Sequence, residues 1–67
     1  MTERERKTLT YLVEVGPYTM GIIDTPFEVD EDAHYRAMKA QGWVRDTLLG
    51  TDTLWAITPD GLKALEA

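Results

Sequence analysis

The chain has 67 residues, a length that fits one small domain spanning residues 1–67. It carries 12 acidic and 7 basic side chains, for a formal net charge of −5, and it contains neither cysteine nor serine. The missing cysteines exclude a disulfide scaffold and any thiolate metal site. The missing serines also exclude a Ser-His-Asp catalytic set. We therefore expect a binding protein that is not an enzyme and uses no cofactor.

Charge and hydropathy also limit where such a protein acts. The N-terminal run MTERERK lacks the apolar core of a secretory signal, and no apolar run approaches the length that crosses a bilayer. We expect a cytoplasmic protein that does not contact membranes. Phosphate contacts dominate affinity for nucleic acids, so an acidic chain that binds DNA must carry a local basic patch.

The N-terminal segment has the features of a helix. Thr2 and Glu5 have the spacing of a capping box, and Gly16-Pro17 is a stop signal. We predict a helix from about Thr2 to Val15. Its apolar stripe at helical spacing consists of Leu9, Leu12 and Val13.

Residues 17–29 allow two interpretations. A short extra helix over Thr19–Asp24 is one, although Gly21 weakens it and Thr25-Pro26 is expected to break it. An extended segment is the other, in which Ile22-Ile23 pairs with a later hairpin as a third strand. In both interpretations we expect Phe27 and Val29 to pack into the core.

A second helix is predicted over about Asp30–Gln41, because this segment is rich in good helix formers. Three consecutive acids, Asp30 to Asp32, are expected in or before its first turn, where they face the positive end of the helix dipole. Gly42 is expected to end this helix.

The C-terminal part predicts a β-hairpin and a final helix. Its strands are Trp43–Leu48 and Thr53–Thr58, joined by the turn Leu49–Asp52. Thr58-Pro59 then has the residues of a helix start, with threonine as the cap and proline in the first turn. We expect the core to receive apolar side chains from the hairpin and the last helix, namely Trp43, Val44, Trp55, Ile57, Leu62 and Leu65.

Two motifs in this part carry a family resemblance. Gly42-Trp43-Val44 and Ile57-Thr58-Pro59-Asp60-Gly61, with the hairpin between them, resemble the end of winged helix-turn-helix domains of bacterial regulators. The resemblance covers about half of the chain. It implies a small α+β winged-helix domain with three helices, a C-terminal hairpin as the wing, and a short final helix.

The resemblance also implies a DNA-binding transcriptional regulator or accessory factor. Its recognition helix would be the segment Asp30–Gln41. Because the first turn of that helix carries three acids and the turn Gly50–Asp52 carries no cation, DNA binding would require a dimer or a more basic partner. The candidate nucleic-acid-binding residues are His34, Tyr35, Arg36, Lys39 and Arg45.

Composition favours an alternative, an acidic protein-binding module on the same frame. Its candidate binding residues are the acids Asp24, Glu28, Asp30, Glu31 and Asp32, which would meet a basic protein partner. Such an adaptor or inhibitor would occupy a nucleic-acid site by charge mimicry, in the style of phage accessory proteins. Aromatic residues that would supply interface energy are Tyr18, Phe27, Tyr35 and Trp43. These acids do not have the spacing or the glycine of an EF-hand, so we predict no metal site.

Overall fold

A computed structural model describes all 67 residues as an α+β domain with three helices and one three-stranded antiparallel sheet. None of its helices combines the length and the apolar character needed to cross a membrane. In chain order the elements are α1 (Glu3–Glu14), β1 (Tyr18–Met20), α2 (Pro26–Ala40), β2 (Val44–Leu49), β3 (Asp52–Ile57) and α3 (Pro59–Glu66).

Helix α1 forms where the sequence predicts it, and its capping box is confirmed. The Thr2 hydroxyl accepts a hydrogen bond from the Glu5 amide at 3.1 Å, and the Thr2 amide donates to Glu5 Oε1 at 2.7 Å. These two bonds satisfy amide groups that a helix start otherwise leaves free. Leu9 and Leu12 are buried, whereas Val13 is half exposed.

Helix α2 begins at Pro26, four residues before the predicted start. Thr25 is the cap, and its hydroxyl accepts a hydrogen bond from the Glu28 amide at 3.2 Å. Proline suits the first turn because an amide hydrogen there has no partner within the helix. Thr25-Pro26 therefore starts a helix where the sequence predicted a break.

This earlier start changes the surroundings of the residues that follow it. Phe27 and Val29 are 70% and 57% exposed, so the prediction that they pack into the core is wrong. The acids Asp30, Glu31 and Asp32 lie in the second turn of α2 and do not cap it. Their carboxylates are thus free to pair with cations on neighbouring elements.

The sheet has the order β1-β3-β2, with β3 in the centre. Its third strand is Tyr18–Met20, so residues 17–29 do supply a strand, but not at Ile22-Ile23 as predicted, and the short extra helix does not form. Tyr18 pairs with Trp55, and Met20 pairs with Thr53. Ile22 and Ile23 lie beyond β1 in the loop to α2, and Ile22 is 71% exposed.

The core is built around Trp55 on the central strand, which is fully buried. The Trp55 ring stacks on Tyr35 of α2, with ring centres 5.3 Å apart. Burial of Val44 and Trp55 is confirmed, and Trp43, Ile57 and Leu65 are partly buried against them. Leu62 is 40% exposed, so the prediction that it returns to the core is wrong. The full set of buried apolar residues is Leu9, Leu12, Met20, Tyr35, Met38, Val44 and Trp55.

The start of α3 is hydrogen-bonded to the residues that follow α2. The Thr58 hydroxyl accepts a hydrogen bond from the Gly61 amide at 3.0 Å and donates to the Gly42 carbonyl oxygen. The Thr58 amide donates to the Trp43 carbonyl oxygen at 3.0 Å. The predicted helix start at Thr58-Pro59 is confirmed, and it also holds the hairpin closed at its base.

Candidate binding surfaces

The five predicted nucleic-acid-binding residues do not form one basic face. Tyr35 is 3% exposed, and its ring lies between Tyr18 at 5.5 Å and Trp55 at 5.3 Å. Burial raises the pKa of the Tyr35 hydroxyl well above its ordinary value. Tyr35 is therefore a core residue that presents almost no surface to a ligand.

Two of the predicted contact residues are neutralised within the chain. The Arg36 guanidinium donates to Asp32 Oδ2 at 2.9 Å and lies over the Trp55 ring. The Lys39 ammonium lies 2.9 Å from Asp46 Oδ1. The hydrogen bond from Lys39 lowers the pKa of the Asp46 carboxyl, so this acid stays ionised beside its cation. Each cation on this side of α2 thus has its own carboxylate.

The remaining cations divide between paired and unpaired groups. Arg4 bonds Asp30 Oδ2 at 2.7 Å and Glu31 Oε1 at 3.1 Å, which joins α1 to α2. Lys7 lies 4.0 Å from Glu3, and Arg6 donates to a backbone carbonyl oxygen. Only two basic side chains make neither an ion pair nor a hydrogen bond, and these are Arg45 and Lys63.

His34 is half-buried against α1. Its Nε2 lies 2.8 Å from the Thr8 hydroxyl, whose single hydrogen is donated to the Arg4 carbonyl oxygen at 3.0 Å. His34 Nε2 must therefore carry the hydrogen in this bond, which fixes the tautomer of the neutral ring. Burial, with a smaller contribution from the Arg4 charge, lowers the pKa of His34 below its ordinary 6.5.

This lowered pKa predicts a pH dependence of stability. Because the folded state favours neutral His34, the unfolded state takes up the proton first as pH falls through 6.5. We expect the free energy of unfolding to decrease from about pH 7.5 to about pH 5.5 in urea titrations. The variant His34→Gln should lose that decrease while keeping a hydrogen bond to Thr8. An equal decrease in wild type and variant would assign it to another group.

The five predicted acidic residues separate into two groups. Asp30, Glu31 and Asp32 bond to Arg4 or Arg36, so their charges are compensated within the chain. Asp24 and Glu28 make no ion pair, and Glu28 receives only a hydrogen bond from the Thr25 hydroxyl at 2.8 Å. The uncompensated negative charge of this stretch is therefore at the start of α2.

A cleft of about 340 Å³ opens between α1, β1 and α2. No sequence pattern indicates this cleft, because its three tyrosines are far apart along the chain. Tyr11 meets Tyr18 edge to face at 6.3 Å, and the hydroxyls of the cleft tyrosines make no hydrogen bond within the chain. Its lining residues are Lys7, Thr8, Tyr11, Tyr18, Glu31 and Tyr35.

No group of three or more histidine, aspartate or glutamate side chains comes together as metal ligands. His34, the only histidine, bonds a threonine and lies next to no serine or cysteine nucleophile. No protein-family model matches the chain, and no curated protein matches it. Charge, exposure and fold are therefore the basis for assigning a function.

Proposed function

We propose that this chain is a small non-enzymatic binding domain on a winged-helix frame, and that its ligand is a protein with a basic surface. One observation carries the proposal. The cations of α2 are paired with acids of the chain, whereas Asp24 and Glu28 have no cation. The charge that remains free to attract a ligand near α2 is therefore negative.

The order of elements supports the winged-helix frame. In this family resemblance a third strand pairs with the hairpin, and β1 pairs with β3 of the hairpin β2–β3. Helix α2 directly precedes the hairpin, as a recognition helix would. One feature departs from the pattern, because residues 21–25 are a loop and only one helix lies between β1 and β2. The missing helix weakens the case for groove recognition and leaves the frame available for protein binding.

Electrostatics favours a basic protein as the ligand. At a net charge of −5 the chain repels nucleic acid at long range and attracts a cationic surface. Charged rims of this kind increase association rates more than final affinity, and their effect decreases as salt screens the charges. We expect binding that is fast and sensitive to salt.

The first test uses a fluorescent peptide of alternating lysine and serine and, in parallel, a labelled random DNA duplex. Anisotropy should show salt-sensitive binding of the peptide and no binding of the duplex at low salt. Asp24→Lys with Glu28→Lys should weaken peptide binding by about tenfold or more, because the two substitutions reverse the charges near the start of α2 that pair with no cation. Asp32 is left unchanged because it bonds Arg36.

The matched control is Glu14→Lys with Glu66→Lys, which makes the same charge change at two other exposed acids. This control pair should lower the affinity for the peptide much less. Equal weakening by both pairs would mean that net charge alone attracts the peptide, and the proposal would then fail.

DNA binding is the second candidate, and the observation that favours it is Arg45. This residue is exposed and unpaired on β2 of the hairpin, in the element that would form the wing. Salt-dependent binding of the duplex that Arg45→Ala removes would support this candidate over the first. It would also justify a search for a specific site and for a dimer that binds it.

A further inference from the structure

Large apolar side chains are exposed at one end of the sheet. Ile22 and Ile23 follow β1 and are 71% and 40% exposed, and Phe27 in the first turn of α2 is 70% exposed. Leu48 and Leu49 end β2 and are 76% and 52% exposed. We refer to these five residues, Ile22, Ile23, Phe27, Leu48 and Leu49, as the apolar end.

The pairing of the strands places the Ile22 loop and the end of β2 at the same end of the sheet, on either side of β3. Met20 and Leu48 both lie opposite Thr53 of the central strand, one from each side. The loop that carries Ile22 therefore starts at the same end of the sheet as the turn between Leu49 and Asp52. A Cβ atom added at Gly21 would lie 3.5 Å from the side chain of Asp52, the first residue of β3, so this loop is close to the start of β3.

Leu48 extends the apolar face of the core, whereas Leu49 pairs with Asp52 and lies on the opposite face of the sheet. Residues that pair across a sheet point to the same face, so Leu48 is on the face that carries Met20 and Trp55. Met20 is 4% exposed, whereas Leu48 is 76% exposed. At this level of the sheet the face is thus covered on the β1 side, whereas on the β2 side it meets solvent. Several large exposed apolar side chains at one end of so small a domain are typical of an interaction surface.

The charges around the apolar end identify what covers it. Asp24, Glu28 and Asp52 lie along its segments and make no ion pair. No basic residue occurs between Lys7 and Arg36. A symmetric dimer through this surface would bring the acids of one copy against the acids of the other, which is unfavourable. A second copy of the chain is therefore a poor occupant.

We propose that the apolar end is the docking surface for a partner protein that presents an apolar segment rimmed by lysine or arginine. The inference rests on the proposed function and specifies its site. The apolar side chains supply the contact that excludes water, and the acids orient the basic rim. Phe27 is the central anchor because it is the largest side chain of the apolar end and is next to Glu28 in the chain.

The test uses isotope-labelled protein, NMR titration and two peptides that differ only in their centres. One peptide has leucines flanked by lysines, and the other has serines in place of the leucines. We expect the leucine peptide to bind more tightly and to shift the amide signals of the apolar end. Phe27→Ser should lower the affinity for the leucine peptide by about tenfold and leave the affinity for the serine peptide unchanged.

Val15→Ser is the matched control, because Val15 is 68% exposed and lies before β1 in the chain, whereas the apolar end begins after it. This substitution should leave the affinity for both peptides unchanged. Phe27→Ser removes a side chain that already faces water, so its circular dichroism spectrum should match that of wild type.

The outcomes separate this inference from the proposed function. If both peptides bind equally and Phe27→Ser affects neither, the apolar end is not the docking surface, and binding by the acids still stands. If neither peptide binds, the proposed function itself fails. Sedimentation that shows a wild-type dimer, lost in Phe27→Ser, would assign the apolar end to a second copy and overturn the basic partner.

Discussion

Replacing Gly61 with alanine will lower the free energy of unfolding by about 3 kcal/mol. Gly61 is buried in the first turn of α3, and a Cβ atom there would overlap the Trp43 carbonyl oxygen. It would also lie 2.8 Å from Ile57 Cγ1. The Trp43 carbonyl is held by the Thr58 amide at 3.0 Å, so backbone and not a flexible side chain must shift.

This loss is the net value, because the helical preference of alanine offsets the cost of the overlap by about 1 kcal/mol at most. For a domain of this size the net loss corresponds to a decrease in Tm of roughly 15 °C. Urea unfolding and calorimetry measure it directly. Because small domains have only a few kcal/mol of stability, the variant should also be partly unfolded near physiological temperature.

Gly21→Ala is the matched control, since its Cβ atom would be in ordinary contact with the Asp52 side chain and its φ angle is not in the left-handed region. It should be neutral or slightly stabilising, because alanine reduces the freedom of the unfolded chain. Equal destabilisation by both substitutions would show that the close approach of α3 to Trp43 does not determine stability.

The elements that could be predicted from the sequence are those with local signals. The capping box at Thr2 and the helix start at Thr58-Pro59 need only neighbouring residues, and both form as predicted. Pro26 shows the limit of such signals. A proline after a threonine is compatible with a helix break and with a helix start, and only the tertiary fold decides between them.

The binding surfaces were harder to predict because they depend on contacts between distant residues. Tyr35 was expected on the surface of a recognition helix, but it is packed by Tyr18 of β1 and Trp55 of β3. Its burial follows from a strand position that the sequence did not reveal. In the same way, the sequence gives no sign that Lys39 has an ion-pair partner. In the structure, the hairpin places Asp46 Oδ1 2.9 Å from the Lys39 ammonium.

These ion pairs explain why a helix with two cations on one side is not a basic surface. Asp32 is one turn before Arg36 on α2, and Asp46 is on the neighbouring strand β2. A ligand phosphate would have to displace a carboxylate that is already bonded to each cation. The intramolecular acid is always present at high effective concentration, so the phosphate adds little binding energy.

Removing those two acids should therefore create DNA binding. We expect Asp32→Asn with Asp46→Asn to raise affinity for a random duplex by about tenfold or more at low salt, because Arg36 and Lys39 become free to bind phosphates. The plot of log affinity against log salt should steepen by about 0.9 for each additional phosphate that the protein neutralises. Ion pairs with an exposed cation contribute little to stability, so the variant should remain folded.

The control separates released cations from net charge. Asp24→Asn with Glu28→Gln also removes two negative charges from the formal −5, but it removes acids that pair with no cation. It should change duplex affinity far less than the first pair does. Fluorescence anisotropy at several salt concentrations measures both variants. Equal increases would show that long-range repulsion alone keeps DNA away, whereas strong wild-type binding would mean that the ion pairs at Arg36 and Lys39 open readily and that the DNA-binding candidate is correct.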